Sequence, residues 1–512
     1  MEIELKLRIE PDAAAALRRH PLLVRHAVGP PRVQRLATTY FDTPDLLLRR
    51  HGAALRVRRV AGRWVQTLKA GGDVAAGLHS RQEWETRTSG PAPDLAALCK
   101  LDGIEPEWAG MLADPGLSHR LGPVLTTRFR RTAWQLRLDD GTGIELALDQ
   151  GAAEHESARA PISEIELELK SGDPARLFEL ALELQAALPL RVSNVSKAER
   201  GFALRAPGPP AVIKAAPLHF AAQARVEQGL RAIIGNCLAQ IQGNEEGVTL
   251  GTDIESVHQM RVGVRRLRVA LRLFARVAPA PAALQAEIKW LAAELGAARD
   301  WEVLAGITLA EIADACPDAT GIEPLRAAAQ GLAVANRKRA AAAVDSARYA
   351  RLLLTLGHWL QGALAHEALP PERQLALAAP LGGLAARVLK NWHRRLLRQG
   401  DGLSGATPEV RHQVRIVAKR VRYATDFFAS LYPPRRLRRY VGALAAMQDI
   451  LGRLNDAAVA AGSLRELAQA DSALAESAGF VDGFLAADAR RATARLDRRW
   501  RQVERIGPPR RK

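Results

Sequence analysis

The sequence predicts an α+β protein in two parts. The first is an N-terminal antiparallel β-barrel whose polar interior forms a tunnel, with flanking helices; the second is an all-α half made of two similar helical bundles. Three observations carry this reading. Up to residue 205 many charged and apolar residues alternate with a period of two. Beyond residue 217 apolar residues recur at spacings of three and four. Between them, Ala206-Pro207-Gly208-Pro209-Pro210 crowds Pro and Gly together. The parts are assigned to residues 1–205 and 218–505, joined by a Pro/Gly linker at 206–217.

At 512 residues the chain exceeds one small domain, and 48% hydrophobic with 25% charged residues excludes a disordered or fibrous class. Cys99, Cys237 and Cys316 are widely spaced without a CxxC pair, so no disulfide framework or cysteine zinc site is expected. The N-terminus has no apolar leader core, and no stretch approaches the roughly 18 uncharged residues of a membrane helix. These features point to a cytoplasmic protein without a membrane partner. The net charge of +18 is unevenly placed: residues 1–205 hold 29 Lys+Arg against 27 Asp+Glu, which leaves +16 beyond them. A polyanionic partner is expected for the second half.

In chain order, the alternating runs are Glu2-Ile3-Glu4-Leu5-Lys6-Leu7-Arg8, Leu55-Arg56-Val57-Arg58, Arg81-Gln82-Glu83-Trp84-Glu85, Arg128-Phe129-Arg130 and Glu164-Ile165-Glu166-Leu167-Glu168-Leu169-Lys170. Residues two apart in a strand share a face, so each run places its charges on one side and its apolar residues on the other. Strands curled with the apolar faces outward, under helices, enclose a wall of both signs. Carboxylates on neighbouring strands offer hard oxygen ligands for Mg²⁺ or Mn²⁺, while Arg and Lys on facing strands match phosphate oxygens. His20, His26, His51 and His79 are expected at the surface or in packing, not on metal.

With Glu2-x-Glu4-x-Lys6 at its start, followed in order by Tyr40-Phe41-Asp42-Thr43, Leu55-Arg56-Val57-Arg58, Gln66-Thr67-Leu68-Lys69, Arg81-Gln82-Glu83-Trp84-Glu85, Glu164-x-Glu166-x-Glu168 and Ser196-Lys197-Ala198-Glu199-Arg200-Gly201, the first part resembles the CYTH, or triphosphate tunnel metalloenzyme, family. The resemblance implies a tunnel that binds triphosphates with a divalent metal and hydrolyses them. It implies metal ligation by Glu2, Glu4, Glu166 and Glu168, with Glu164 a further candidate. Phosphate binding would fall to Lys6, Arg56, Arg58, Lys69, Arg128, Arg130 and Lys197, and catalysis would centre on Glu2, Glu4 and Lys6. Glu83, Glu85 or Glu145 could position the attacking water; the general base stays unassigned. The family includes cyclases and thiamine-triphosphate hydrolases, so the fold leaves the substrate open.

The second half contains a repeat. His258-Gln259-Met260-Arg261 with Arg265-Arg266-Leu267-Arg268 returns 154 residues later as His412-Gln413-Val414-Arg415 with Lys419-Arg420-Val421-Arg422. About 40 residues beyond each histidine, Leu295-Gly296 with Arg299-Asp300 matches Leu451-Gly452 with Asn455-Asp456. Helices are expected at 218–242, 255–276, 283–297, 381–398, 409–431 and 437–463. At about 100° per residue, His258, Arg261, Arg265, Arg268 and Arg272 fall within an arc of about 80°. His412, Arg415, Lys419 and Arg422 repeat that pattern. Each helix thus buries one stripe and presents a basic ridge, whose like charges repel unless a polyanion neutralises them.

These two blocks resemble the CHAD family over about residues 218–505. The resemblance implies two four-helix bundles related by a pseudo-twofold axis, whose ridges line a groove for inorganic polyphosphate. His258, Arg261, Arg265, Arg268, His412, Arg415, Lys419 and Arg422 would bind it, with Lys289, Lys390, Arg394, Arg395 and Arg398 as supplementary cations. Metal ligation by the two histidines is disfavoured, since neither has a His or carboxylate at i+3 or i+4. Asp300 and Asp456 are expected to cap or pair with Arg. The whole reads as a metal-dependent inorganic triphosphatase tethered to a polyphosphate-binding domain, possible at polyphosphate granules. The alternatives are a non-catalytic polyphosphate-binding or granule-associated protein and a basic nucleic-acid module. Oligomeric state is left open.

Overall fold

The structure, a computed structural model, describes residues 1–365 and 369–510. They form two compact units: Met1–Pro209 with Ala347–Gly362, and Pro210–Ser346 with the residues from Ala363 onward. No helix among the described residues is long and apolar enough to cross a membrane.

The first unit is built on β1 (Glu2–Ile9), β2 (Arg32–Asp42), β3 (Ala53–Val60), β4 (Arg63–Ala75), β5 (Leu78–Thr88), β6 (Gly122–Arg137), β7 (Gly143–His155), β8 (Ala158–Ser171) and the short β9 (Leu190–Val192). The strands are ordered β5-β4-β3-β2-β6-β7-β8-β1, and β1 also pairs with β5. That last pairing closes an eight-stranded antiparallel barrel and removes the free edges that an open sheet would expose. β9 adds to β1 outside the ring. The apolar faces point outward, as the alternation requires. Leu55, Val57, Leu68 and Trp84 pack with Leu95, Leu98, Trp108, Leu112 and Leu117 from three short helices, Leu95–Cys99, Pro106–Leu112 and Pro115–Arg120.

A helix from late in the chain completes this unit. Ala347–Leu364 buries Tyr349, Ala350, Leu353, Leu354, Leu356 and Leu360. Its Gly357 abuts Phe178 on the helix Ala175–Ala187, where an added Cβ would lie 2.2 Å from Phe178 Cε1. Phe178 is fully buried, so its ring has nowhere to swing. Gly357→Ala is therefore expected to cost about 1–3 kcal/mol through overpacking, read as a lower thermal midpoint; an unchanged midpoint would show that the contact yields.

In the second unit, Val226–Gln242, Ile254–Leu273, Ala282–Val303 and Ile322–Val344 are followed by Leu381–Gln399, Pro408–Phe427, Pro434–Ala470 and Ala475–Thr493. The two basic helices begin 154 residues apart, at Ile254 and Pro408, the spacing of the sequence repeat. The first helix starts at Val226 instead of residue 218. The segment before it has no regular secondary structure over residues 210–221 and is held by the buried Asn244, whose side chain accepts from Ile213 N at 3.1 Å and donates to Ile213 O at 2.8 Å. A side chain that satisfies the backbone this way competes with helix formation.

Candidate functional site

The barrel interior is a cavity of about 570 Å³. Pairing register explains its wall. β1 sets Glu4 opposite Glu168 and Lys6 opposite Glu166. β3 sets Arg56 and Arg58 opposite Tyr40 and Thr38, while Lys69 faces Glu83. Arg131 faces Asp149, and Asp149 in turn faces Glu164. From outside the sheet, the helix Lys197–Ala203, fixed by a capping box between Ser196 and Glu199, delivers Lys197 into the cavity.

The charges are interlocked. Lys6 Nζ lies 2.8 Å from Glu4 and 2.5 Å from Glu166. Arg131 grips Asp149 with Nε at 2.8 Å and Nη2 at 2.6 Å, and reaches Glu166 at 2.5 Å. Lys197 Nζ touches Asp149, Glu164 and Glu166 at 2.6–2.8 Å, and Arg200 holds Glu164 at 2.7 Å. Arg56 pairs with Glu83 at 3.2 Å and Arg58 with Glu85 at 3.4 Å, while Lys69 pairs with Glu2 and, at 3.4 Å, with Glu83. Glu145 accepts from Gln135 at 2.5 Å.

Compensation is uneven around the ring. Burial opposes ionisation of Glu4, yet Lys6 brings its carboxyl down to about 2. Burial pushes Glu2 up to about 7; Lys69 opposes that rise while Glu4 and Glu83 add to it. Glu166 is held well below the carboxylate range, because Lys197, Lys6 and Arg131 outweigh its burial. Glu2 is therefore the wall carboxyl whose anion its present surroundings stabilise least, and a further cation beside it would favour its ionised form. His79 is buried, and burial with Lys6 drives it down to about 3, which leaves a neutral imidazole near Ser193 O. His20 caps the helix Pro21–His26 and His51 is exposed.

In the second unit the basic ridges meet. His258, Arg261, Arg265, Arg299 and Asp300 share a cavity of about 400 Å³ with His412, Arg415, Lys419, Asn455 and Asp456. Asp253 and Thr407 cap the two ridge helices. Arg261 pairs with Asp300 at 3.3 Å and Arg415 with Asp456 at 3.5 Å. His412 Nδ1 lies 2.7 Å from Asn455 Oδ1, whereas Nδ1 of His258 is buried without a hydrogen-bond partner among the described residues. Burial, then Arg415, Arg265 and Arg261, bring the Lys419 ammonium down to about 7.

Residues 1–202 match the CYTH domain family and residues 232–465 the CHAD domain family. The chain is also 41% identical to the CHAD domain from the plant Ricinus communis in its crystal structure, covering 59% of this chain and 99% of that one with a TM-score of 0.54. This chain joins a CYTH domain to a CHAD domain. It is 35% identical over 207 residues to the inorganic triphosphatase of Haemophilus influenzae, 40% of this chain and 54% of that protein, so it spans about half the length of that relative. A Hippeastrum protein described as having a dominant triphosphatase activity is 21% identical, over 40% of this chain and 95% of that one, with a TM-score of 0.30.

Within the CYTH domain, Glu2, Glu4, Lys6, Arg56, Arg58, Lys69, Glu166, Glu168 and Lys197 all line the cavity, but Arg128 and Arg130 do not. Both are exposed on the outer face of β6, where Arg128 pairs with Glu154 at 3.1 Å. The inward parity belongs to Phe129, Arg131 and Ala133, because Arg131 is the residue set opposite Asp149. Sequence reasoning missed Arg131 and Asp149; the third Arg of Arg128-Phe129-Arg130-Arg131 was the available clue.

Asp149, Glu164 and Glu166 offer ligand atoms within 4.8 Å of one another. The two outermost, Asp149 and Glu164, lie behind the cavity wall with Arg131, Lys197 and Arg200 already on them. Their chemistry is that of a brace for the cations Arg131, Lys197 and Arg200. Of the carboxylates that reach the cavity, Glu2, Glu4, Glu166 and Glu168 on neighbouring strands β1 and β8 form a donor set that fits a hard divalent cation.

Within the CHAD domain, Arg268 and Arg422 miss the shared cavity. Two crossing helices face each other only near their crossing; Arg268 lies beyond it, beside Arg272 and Lys289, and Arg422 lies against Tyr423 at 5.8 Å. Arg299 and Asn455, not singled out as ligands, complete the groove. Of the supplementary cations, Lys390, Arg394 and Arg398 are exposed, and Arg395 belongs to a separate hollow.

Proposed function

We propose that the CYTH domain hydrolyses inorganic triphosphate with Mg²⁺ or Mn²⁺, and that the CHAD domain binds inorganic polyphosphate. The observation that carries the first part is a closed tunnel whose wall sets Glu2, Glu4, Glu166 and Glu168 beside a bank of braced cations. Glu2, Glu4, Glu166 and Glu168 would hold the metal, which when bound neutralises charge on the phosphate oxygens. Lys6, Arg56, Arg58, Lys69, Arg131 and Lys197 would orient the triphosphate, each charge-assisted hydrogen bond contributing about 1.5–3 kcal/mol. Asp149 and Glu164 keep Arg131 and Lys197 aimed inward, and Glu83, Glu85 or Glu145 orients the attacking water. The family match and the similarity to an inorganic triphosphatase support this reading. The full chain with Mg²⁺ and a panel of triphosphates should release phosphate. Retention of polyphosphate with no release from any triphosphate would replace the enzyme with a binding protein.

For the CHAD domain, support comes from two ridges of opposite repeats meeting in one cavity that has four Arg, one Lys and only two carboxylates, Asp300 and Asp456. A bound polyanion favours the charged form of Lys419. Its ammonium is mostly charged below pH 7 and neutral above, so polyphosphate affinity is expected to fall as pH rises from 7 to 9, by up to about tenfold per unit while Lys419 governs. Lys419→Arg, which copies Arg265 of the first repeat, should flatten that profile. A slope that survives in the variant would assign the dependence elsewhere.

A further inference from the structure

A second group of cations in the helical half is built differently from the groove. Arg272 near the end of Ile254–Leu273, Arg395 on Leu381–Gln399 and Arg420 on Pro408–Phe427 line one hollow with Trp392 and Val417. The hollow is about 200 Å³, and none of its lining residues is a carboxylate. Burial, then repulsion from Arg272, Arg395 and Arg268, brings Arg420 down to about 10, which leaves it charged at neutral pH, and no acidic group among the described residues offsets that repulsion.

The other repeat shows the same position satisfied from within. Arg266 precedes Arg420 by 154 residues. It is buried, donates to Gln240 Oε1 at 2.9 Å and Asn236 Oδ1 at 2.7 Å, and lies over the Phe427 ring at 5.0 Å. The helix carrying these amides, Val226–Gln242, and its counterpart in the other repeat, Leu381–Gln399, begin 155 residues apart. At that offset Asn236 corresponds to Asn391 and Gln240 to Arg395. Where one repeat supplies an acceptor for its arginine, the other supplies a second cation, and the hydrogen-bonding capacity of Arg420 is turned toward the hollow.

The flanks decide which anion fits. An inorganic phosphate chain gains nothing from an indole or a valine, whereas a ligand with a flat ring beside its phosphates gains stacking as well as charge-assisted hydrogen bonds. We propose that this hollow is a binding site for a nucleoside di- or triphosphate, with its phosphates on Arg272, Arg395 and Arg420 and its base against Trp392. The site is separate from the tunnel and from the polyphosphate groove, and it stands or falls independently of both.

The test uses the full chain, photolabelled with 8-azidoadenosine triphosphate and digested for mass spectrometry. Label is expected on peptides from Leu381–Gln399 or Pro408–Phe427, and ADP should displace it. Arg395→Gln, which reproduces the Arg266–Gln240 arrangement, should keep the fold and polyphosphate retention while lowering that label at least about tenfold. Arg395→Glu with Arg420→Glu should remove it. Absence of label on these helices, label indifferent to Arg395→Gln, or displacement by inorganic triphosphate as effective as by ADP would each overturn the proposal, the last by pointing to a bare phosphate chain.

Discussion

Replacing Glu2 and Glu4 together by Gln is expected to lower metal-dependent hydrolysis of inorganic triphosphate by more than about 10²-fold. Loss of a group that merely supports a metal ligand costs about 10- to 100-fold, and this variant removes two anionic donors from the cavity. The substitution keeps the size and alternation of β1, so the pairing of Leu5 and Leu7 with β8 should survive. Lys6 would retain Glu166 at 2.5 Å, and Lys69 would retain Glu83 at 3.4 Å, which limits collapse of the wall. The measurement is phosphate release against metal concentration, with polyphosphate retention as the control for an intact second unit. Unchanged release would remove Glu2 and Glu4 from the metal site.

Asp149→Ala is expected to destabilise the barrel by about 3–5 kcal/mol, the range for breaking a buried ion pair from one side. Asp149 is fully buried and compensates two cations, Arg131 and Lys197. Its removal leaves both short of a counter-charge, although Glu164 and Glu166 still hold Lys197 and Glu166 still holds Arg131. For a unit of this size the loss corresponds to roughly 6–20 °C in the thermal midpoint. Asp149→Asn, which keeps acceptor oxygen in place, should lose less. Equal and small losses in both variants would mean that the two cations are adequately held without this residue.

How much of the site could be read in advance depended on whether each strand carried its charges on one parity. β1 and β8 do, and Glu2, Glu4, Lys6, Glu166 and Glu168 emerge together on the cavity wall. β6 has Arg on both parities, so Arg128 and Arg130 could not be told from Arg131 without knowing the partner strand. Asp149 stands alone in Leu148-Asp149-Gln150, and only the β6–β7 register reveals what it braces. In the helical half the duplicated motif disclosed both ridges. It could not disclose the crossing point, which admits Arg261, Arg265, Arg415 and Lys419 to the groove but leaves out Arg268 and Arg422. The late helix start at Val226 escaped notice for a related reason, since Asn244 acts on Ile213 across 31 residues.

The helix Ala347–Leu364 makes the barrel unit discontinuous in sequence, and this sets an order of events on the ribosome. At about 5–20 residues per second, Gly362 follows Pro209 by roughly 8–30 s. Throughout that interval all eight strands of the barrel exist, yet Phe178 lacks the Gly357 backbone that abuts it in the finished protein. The nascent chain must carry that apolar face uncovered while the first helical repeat is being made, and a fragment ending at Pro209 would carry it permanently.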